Sequence, residues 1–128
     1  MTEVLLDTRT FIWALSNSAE LSAEARGLLS RPEINKMLSL VSVWEMAIKI
    51  GTGKLKLPVS LESSLRTARG AGLKLVTIDL NPTLRVEALP WHHRDPFDRL
   101  LACQCLDLRL PLLSRDPIFD DYGVDRVW

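Results

Sequence analysis

Four acids in this chain stand where an acid has to be explained. Asp7 closes the apolar run "EVLLD", and Glu45 sits inside "VSVWEMAIKI". Asp98 lies in the first turn of "PFDRLLACQC", and Asp116 follows "LPLLSR". An unpaired carboxylate in apolar surroundings is costly, so Glu45 needs a partner. Carboxylates gathered in one place repel and push up one another's pKa values. A divalent cation removes that repulsion, and oxygen-rich sites of this kind suit Mg²⁺ or Mn²⁺. Each acid also has a plainer use. Asp7 and Asp116 can cap helices, and Asp95, just before Pro96, is above all a cap. Glu45 can pair with Lys49 four residues on.

The elements around these acids decide whether they meet. Short apolar runs predict strands at 3–6, at 36–41 ("KMLSLV"), at 73–78 ("LKLVTI"), at 110–114 ("LPLLS") and at 124–128 ("VDRVW"). Between them lie helical patterns. "TRTFIWALSN" spaces Phe11, Ile12 and Leu15 for one, and "LSAEARGLLSRP" carries Ser22 as N-cap of the next. "SVWEMAIKI" stops at Gly51, and "SLESSLRTARGAG" starts from Ser60. Asn81 and Pro82 open a short helix, and Asp95 caps the long one that begins at Pro96. Strands alternating with helices predict an α/β fold, a mostly parallel sheet of four to five strands covered by helices on both faces. In such sheets function collects beyond the C-terminal ends of the strands. Asp7 and Asp116 belong at that edge. Leu101 and Ala102, three and four residues past Asp98, place this acid on the buried face of its helix, at the open end.

Length and composition agree with one domain. The 128 residues suffice for a core without disulfide staples. Lys+Arg and Asp+Glu both number 16, which excludes a strongly basic nucleic-acid coat but leaves room for a local basic patch. The start lacks a signal-peptide pattern, and no apolar run approaches the roughly 20 residues of a membrane helix. The two cysteines, Cys103 and Cys105, do not face each other on a helix and have no zinc-site spacing. They are expected to be reduced, half-buried thiols of a cytoplasmic protein with no membrane contact. His92 and His93 lack a third ligand at sensible spacing, and a structural or substrate-edge role is expected.

Taken together, "LLDT", "SVWEMAIKIGTGKLKLP", "HHRDPFDRLLACQC" and "LPLLSRDPIF" resemble PIN-domain proteins, in particular the toxin ribonucleases of VapBC-type toxin–antitoxin pairs. The resemblance runs nearly end to end, with the motifs in the family's order. It implies a three-layer PIN fold over residues 1–128 and Mg²⁺- or Mn²⁺-dependent cleavage of RNA. It maps the family's acidic quartet onto Asp7, Glu45, Asp98 and Asp116, and the polar helper before the last acid onto Ser114. Close relatives often have His where this chain has Arg9. It also implies a cognate antitoxin, and a homodimer is expected beside it.

Arg9, Lys49, Lys54, Lys56, Arg94, Arg99 and Arg115 lie beside the motifs and are candidates for phosphate contacts, although each is also an ordinary surface charge. Trp13 and Trp44 are expected in the core, while Trp91 could stack an unpaired base. The helices at 8–16 and 43–50 carry Phe11, Ile12, Trp13, Trp44, Met46 and Ile50, more than one core face requires. The surplus is expected to line a groove for a partner's amphipathic segment near Asp7 and Glu45, or a homodimer face. Three other readings stay open. A phosphoacceptor receiver domain would use Asp79, but the acidic pair and late Lys are missing. A haloacid-dehalogenase-type phosphatase needs a second Asp where Arg9 stands. A non-catalytic module would use the acids only to hold a metal.

Overall fold

The computed structural model describes residues 1–128. Its strands are β1 (Glu3–Leu6), β2 (Asn35–Ser39), β3 (Lys74–Val76), β4 (Leu112–Leu113) and β5 (Arg126–Val127). Its helices are α1 (Thr8–Leu15), α2 (Ala23–Ser30), α3 (Leu40–Gly51), α4 (Leu61–Gly70), α5 (Leu80–Arg85), α6 (Pro96–Leu108) and α7 (Ile118–Asp121), with a 3₁₀ turn at Val86–Ala88. The five strands form one sheet in the order β3-β2-β1-β4-β5, and every pairing is parallel.

Alternation along β1 explains the three layers. Successive side chains of a strand point to opposite faces. Leu5 therefore packs into a core with Leu101, Ala102, Leu112, Phe119 and Val124, under α6 and α7. Val4 and Leu6 pack into a second core with Phe11, Leu21, Ala25, Leu28 and Met46, from α1, α2 and α3. Leu112 and Leu113 divide between the two cores in the same way.

The order of strands matters more for function than their lengths. From β1 the chain steps outward through β2 to β3, then returns to the other side of β1 for β4 and β5. The sheet thus changes winding direction between β1 and β4, and such a switch point opens a crevice beyond the strand ends. The pairing Leu6↔Leu113 brings the residues just past both strands together.

Several expected boundaries move. The strand expected at 36–41 ends at Ser39, because the Ser39 side chain accepts from Val41 N–H at 3.0 Å and so caps α3. Leu40 and Val41 belong to the helix. The short helix begins at Leu80, one residue before Asn81 and Pro82, with Asp79 at its cap position. Its lack of an N–H costs Pro82 nothing in a first turn. Helix α7 was not expected at all. Trp44, expected in the core, is 52% exposed and packs edge-on against Phe97. Cys103 and Cys105 are fully rather than half buried. Burial pushes both thiols up, Cys105 to about 12, so neither is a ready nucleophile. No helix is long and apolar enough to cross a membrane.

Candidate active site

Asp7 is the N-cap of α1 and also part of the floor of a cleft. Its Oδ1 accepts from Thr10 N–H at 2.7 Å, and its Oδ2 accepts from the Ser114 hydroxyl. The Thr10 hydroxyl donates to Leu113 C=O at 3.0 Å, tying the helix start to the end of β4. Capping and site use are therefore the same geometry. Burial raises the pKa of Asp7, against the hydrogen bonds from Ser114 and Thr10 and the charge of Arg9.

Glu45 sits one and a half turns into α3. Its Oε1 accepts from the Thr8 hydroxyl at 2.7 Å, and its Oε2 pairs with Lys49. The helical pair foreseen from the sequence exists, at the rim of the cleft rather than in the core. Asp98 reaches the cleft from α6, whose N-cap Asp95 accepts from Phe97 N–H and Asp98 N–H at 2.9 and 3.0 Å. The Asp98 pKa is pushed up to about 6 by burial and by the charges of Asp95 and Glu45, against the hydrogen bond and charge of His93. Asp116 is exposed beyond β4. Its N–H donates to the Ser114 hydroxyl oxygen at 3.1 Å, and its Oδ1 accepts from Ile118 N–H at 3.0 Å, at the head of α7.

All four acids line one cleft of about 700 Å³, with Asp95 beside them and Arg9, Lys49, Lys54 and Arg115 around them. Four separate elements supply the quartet: the ends of β1 and β4, helix α3 and helix α6. The acids share the cleft without drawing three donors into a single ligating cluster. Trp13 forms part of the wall, with the Arg9 and Arg115 guanidinium groups 5.9 and 5.8 Å from its ring centroid.

Two expected substrate contacts are corrected by burial. Ser114 is fully buried, so it acts on Asp7 and Asp116 and not on a substrate. Arg99 is 2% exposed, and its guanidinium donates to Leu89 C=O, Pro90 C=O and the Tyr122 hydroxyl at 2.8–3.1 Å. It holds the loop before α6 instead of meeting phosphate. Sequence reasoning gave Asp95 above all a capping role and His93 a structural or substrate-edge one, without tying either to Asp98. His93 Nε2 lies 3.2 Å from Asp98 Oδ2. The paired histidines just ahead of the acid were the only available signal.

The donor set fits the implied cation. It offers hard carboxylate oxygens and no competing thiol or histidine cluster, the choice for Mg²⁺ or Mn²⁺. Beside burial, the charges of Asp95 and Glu45 help to raise the Asp98 pKa, and a dication would offset them. Asp79, the receiver-type candidate, lies exposed beyond edge strand β3 and accepts from the Thr77 hydroxyl, outside this cleft.

The family model described as PIN domain matches residues 4–125. The chain belongs to the PIN-domain family. Its fold is similar to VapBC2 from Rickettsia felis, solved with a promoter DNA fragment, with a TM-score of 0.72 at 14% identity over 98% of this chain and 97% of that one. It is similar to DNA-bound VapBC from Salmonella typhimurium, with a TM-score of 0.68 at 18% identity over 99% and 98%. It is also similar to VapC20 from Mycobacterium tuberculosis, a toxin that cleaves the sarcin–ricin loop, with a TM-score of 0.66 at 13% identity over 94% and 95%. The sequence matches no curated protein significantly.

Proposed function

We propose that this protein is a divalent-metal-dependent endoribonuclease, the toxin of a toxin–antitoxin pair. One observation carries the reading: four acids from distant parts of the chain converge at the β1/β4 switch point, inside a ring of cations. Asp7, Glu45, Asp98 and Asp116 would hold Mg²⁺ or Mn²⁺, which when bound supplies the charge that acidifies water and steadies phosphoryl oxygens. The chain's own groups do the rest. Thr10 and Ser114 fix the Asp7 carboxylate, and Thr8 and Lys49 fix that of Glu45. Arg9, Lys54 and Arg115 meet backbone phosphates on either side of the scissile bond. Water attacks phosphorus in line, the P–O3′ bond breaks, and the products are a 5′-phosphate and a 3′-hydroxyl.

Asp7→Asn and Asp98→Asn should each keep the fold and abolish cleavage of labelled RNA in Mg²⁺ or Mn²⁺, with EDTA as control. Undiminished cleavage by both variants would sink the assignment. Metal binding without any product would instead favour a non-catalytic module.

The fold neighbours that are toxin–antitoxin complexes support an antitoxin partner. Of the apolar surplus on the first and third helices, Phe11 and Met46 are core residues, while Ile12 and Trp13 line the acidic cleft beside Asp7 and Glu45. A second, more apolar cleft of about 700 Å³ opens among α1, α2 and α4, with Leu15, Leu29 and Leu73 on its walls and the core residues Leu6, Phe11 and Leu21 at its floor. It is assigned to the antitoxin's apolar segment. A second copy of this chain is assigned to the exposed Trp44 and Ile48 of α3 with Leu80 and Leu84 of α5, two helices that both pack on α6. Sedimentation of Leu84→Arg tests the dimer, and an unchanged dimer would exclude this face. An antitoxin that binds Leu15→Glu as tightly as the parent would exclude the groove. Free buried thiols suit the reducing cytoplasm.

A further inference from the structure

Behind Asp98 stands a line of buried and half-buried donors that none of the four acids explains. It begins at Arg99, whose Nη1–H donates to the Tyr122 hydroxyl oxygen at 3.1 Å. The His93 backbone N–H donates to the same oxygen at 3.3 Å. Tyr122 is 7% exposed, and its oxygen already accepts twice. Its own proton then has two places to go, His93 Nδ1 at 2.7 Å or His93 C=O at 3.5 Å. Only the first is a normal hydrogen-bond length. A neutral imidazole that accepts at Nδ1 carries its proton on Nε2. That N–H faces Asp98 Oδ2 at 3.2 Å.

The supports on either side leave this arrangement little freedom. Arg99 is held in place, because Pro90 C=O and Leu89 C=O accept two more of its N–H groups and the Trp91 ring covers it at 3.8 Å. The Tyr122 ring is held by His92, edge-on at 4.8 Å between centroids. The line also joins three segments of the chain: the loop before α6, α6 itself and the end of α7.

We propose that His93 is the positioning residue of Asp98, fixed as its Nε2–H tautomer by Tyr122, which buried Arg99 orients in turn. The functional consequence rests on the reading of Asp98 as a metal ligand. A ligating carboxylate whose second partner is a fixed donor presents one oxygen in one direction, and outer partners of this kind typically govern about 10–100-fold in metal affinity.

The test has two parts. The ring nitrogens of ¹⁵N-labelled, metal-free protein are read by long-range NMR at about pH 8, where an ordinary imidazole is neutral. His93→Gln assigns the signal. The expected result is the Nε2–H tautomer for His93, lost to a mixture in Tyr122→Phe. Mn²⁺ affinity is then measured by electron paramagnetic resonance of the free ion. His93→Ala should weaken it about 10–100-fold. His93→Gln, which keeps an N–H for Asp98, should recover most of that loss, and melting curves identify any variant that fails to fold. An Nδ1–H tautomer overturns the proposal, and so does equal Mn²⁺ affinity in the Ala and Gln variants. A parent protein with the expected tautomer but no Mn²⁺ binding overturns the metal reading, and the positioning role with it.

Discussion

The Ser114 hydroxyl donates to Asp7 and at the same time accepts from the backbone N–H of Asp116, so one buried side chain orders two of the four acids. Ser114→Ala would leave Asp7 Oδ2 buried without that donor. Both kcat/KM for RNA and Mn²⁺ affinity should fall about 10–100-fold, as for other outer partners of ligating groups. Stability should fall by about 1–2 kcal/mol. Steady-state cleavage and melting measure the two effects, and a variant equal to the parent in cleavage would remove Ser114 from the machinery.

Cation binding should stabilise the fold by mass action, because the unfolded chain offers no such cleft. At a hundred times Kd the gain is about 2.7 kcal/mol, several degrees of Tm for a chain of this length. Glu45→Gln should shrink it. Identical melting curves in EDTA and in saturating Mg²⁺ would mean that the acids are not a cation site.

The Asp98 carboxyl is pushed up to about 6 from an ordinary 3.8, so its charged form is disfavoured in the folded protein. The folded state therefore keeps a proton that the unfolded chain releases between about pH 4 and 6, and folding gains stability as pH falls through that window. In metal-free protein at about pH 7.5, Asp98→Asn should melt above the parent by about 1–2 kcal/mol equivalent, allowing for the 25% exposure of the side chain. The difference should close below about pH 4. A difference independent of pH would show that desolvation and repulsion at Asp98 are not what separates the two proteins. The same substitution should thus stabilise the protein and silence it.

Arg99 is a structural cation. Arg99→Ala should cost about 1–3 kcal/mol, the range for leaving buried acceptors without their donor. Arg99→Lys should restore only part, because one ammonium cannot serve the Leu89 and Pro90 carbonyls and Tyr122 as the planar guanidinium does. Urea unfolding measures this. Stability unchanged in Arg99→Ala would return Arg99 to the set of phosphate contacts.

Local chemistry was readable in the sequence where local chemistry decides the structure. Helix α6 begins at Pro96 behind its Asp95 cap because both signals are adjacent, and β1 stops at the acid that caps the next helix. Ser39 was harder, since Leu40 and Val41 continue an apolar run and only the hydroxyl bond to Val41 ends the strand. The role of Arg99 was hidden, because its acceptors lie 9, 10 and 23 residues away and carbonyls leave no trace in composition. His93 was hidden for the same reason, as Tyr122 lies 29 residues further on. Helical spacing in α3 suggested a buried Trp44, but a helix at the crevice rim needs only one apolar stripe inward, and Val41, Glu45 and Met46 occupy it.

Asp7 and the hydroxyl that orients it are 107 positions apart, and they meet only when β4 lies down beside β1. Synthesis proceeds from the other end. A ribosome translating this chain has therefore made more than four-fifths of it while the candidate site is still in two pieces, with Asp7, Glu45 and Asp98 in hand and Asp116 not yet added. A chain stopped at Leu110 should accordingly be inert towards RNA, and detectable cleavage by it would refute the point. On the proposed reading, the acids of this cleft cannot act together until β4 has joined β1.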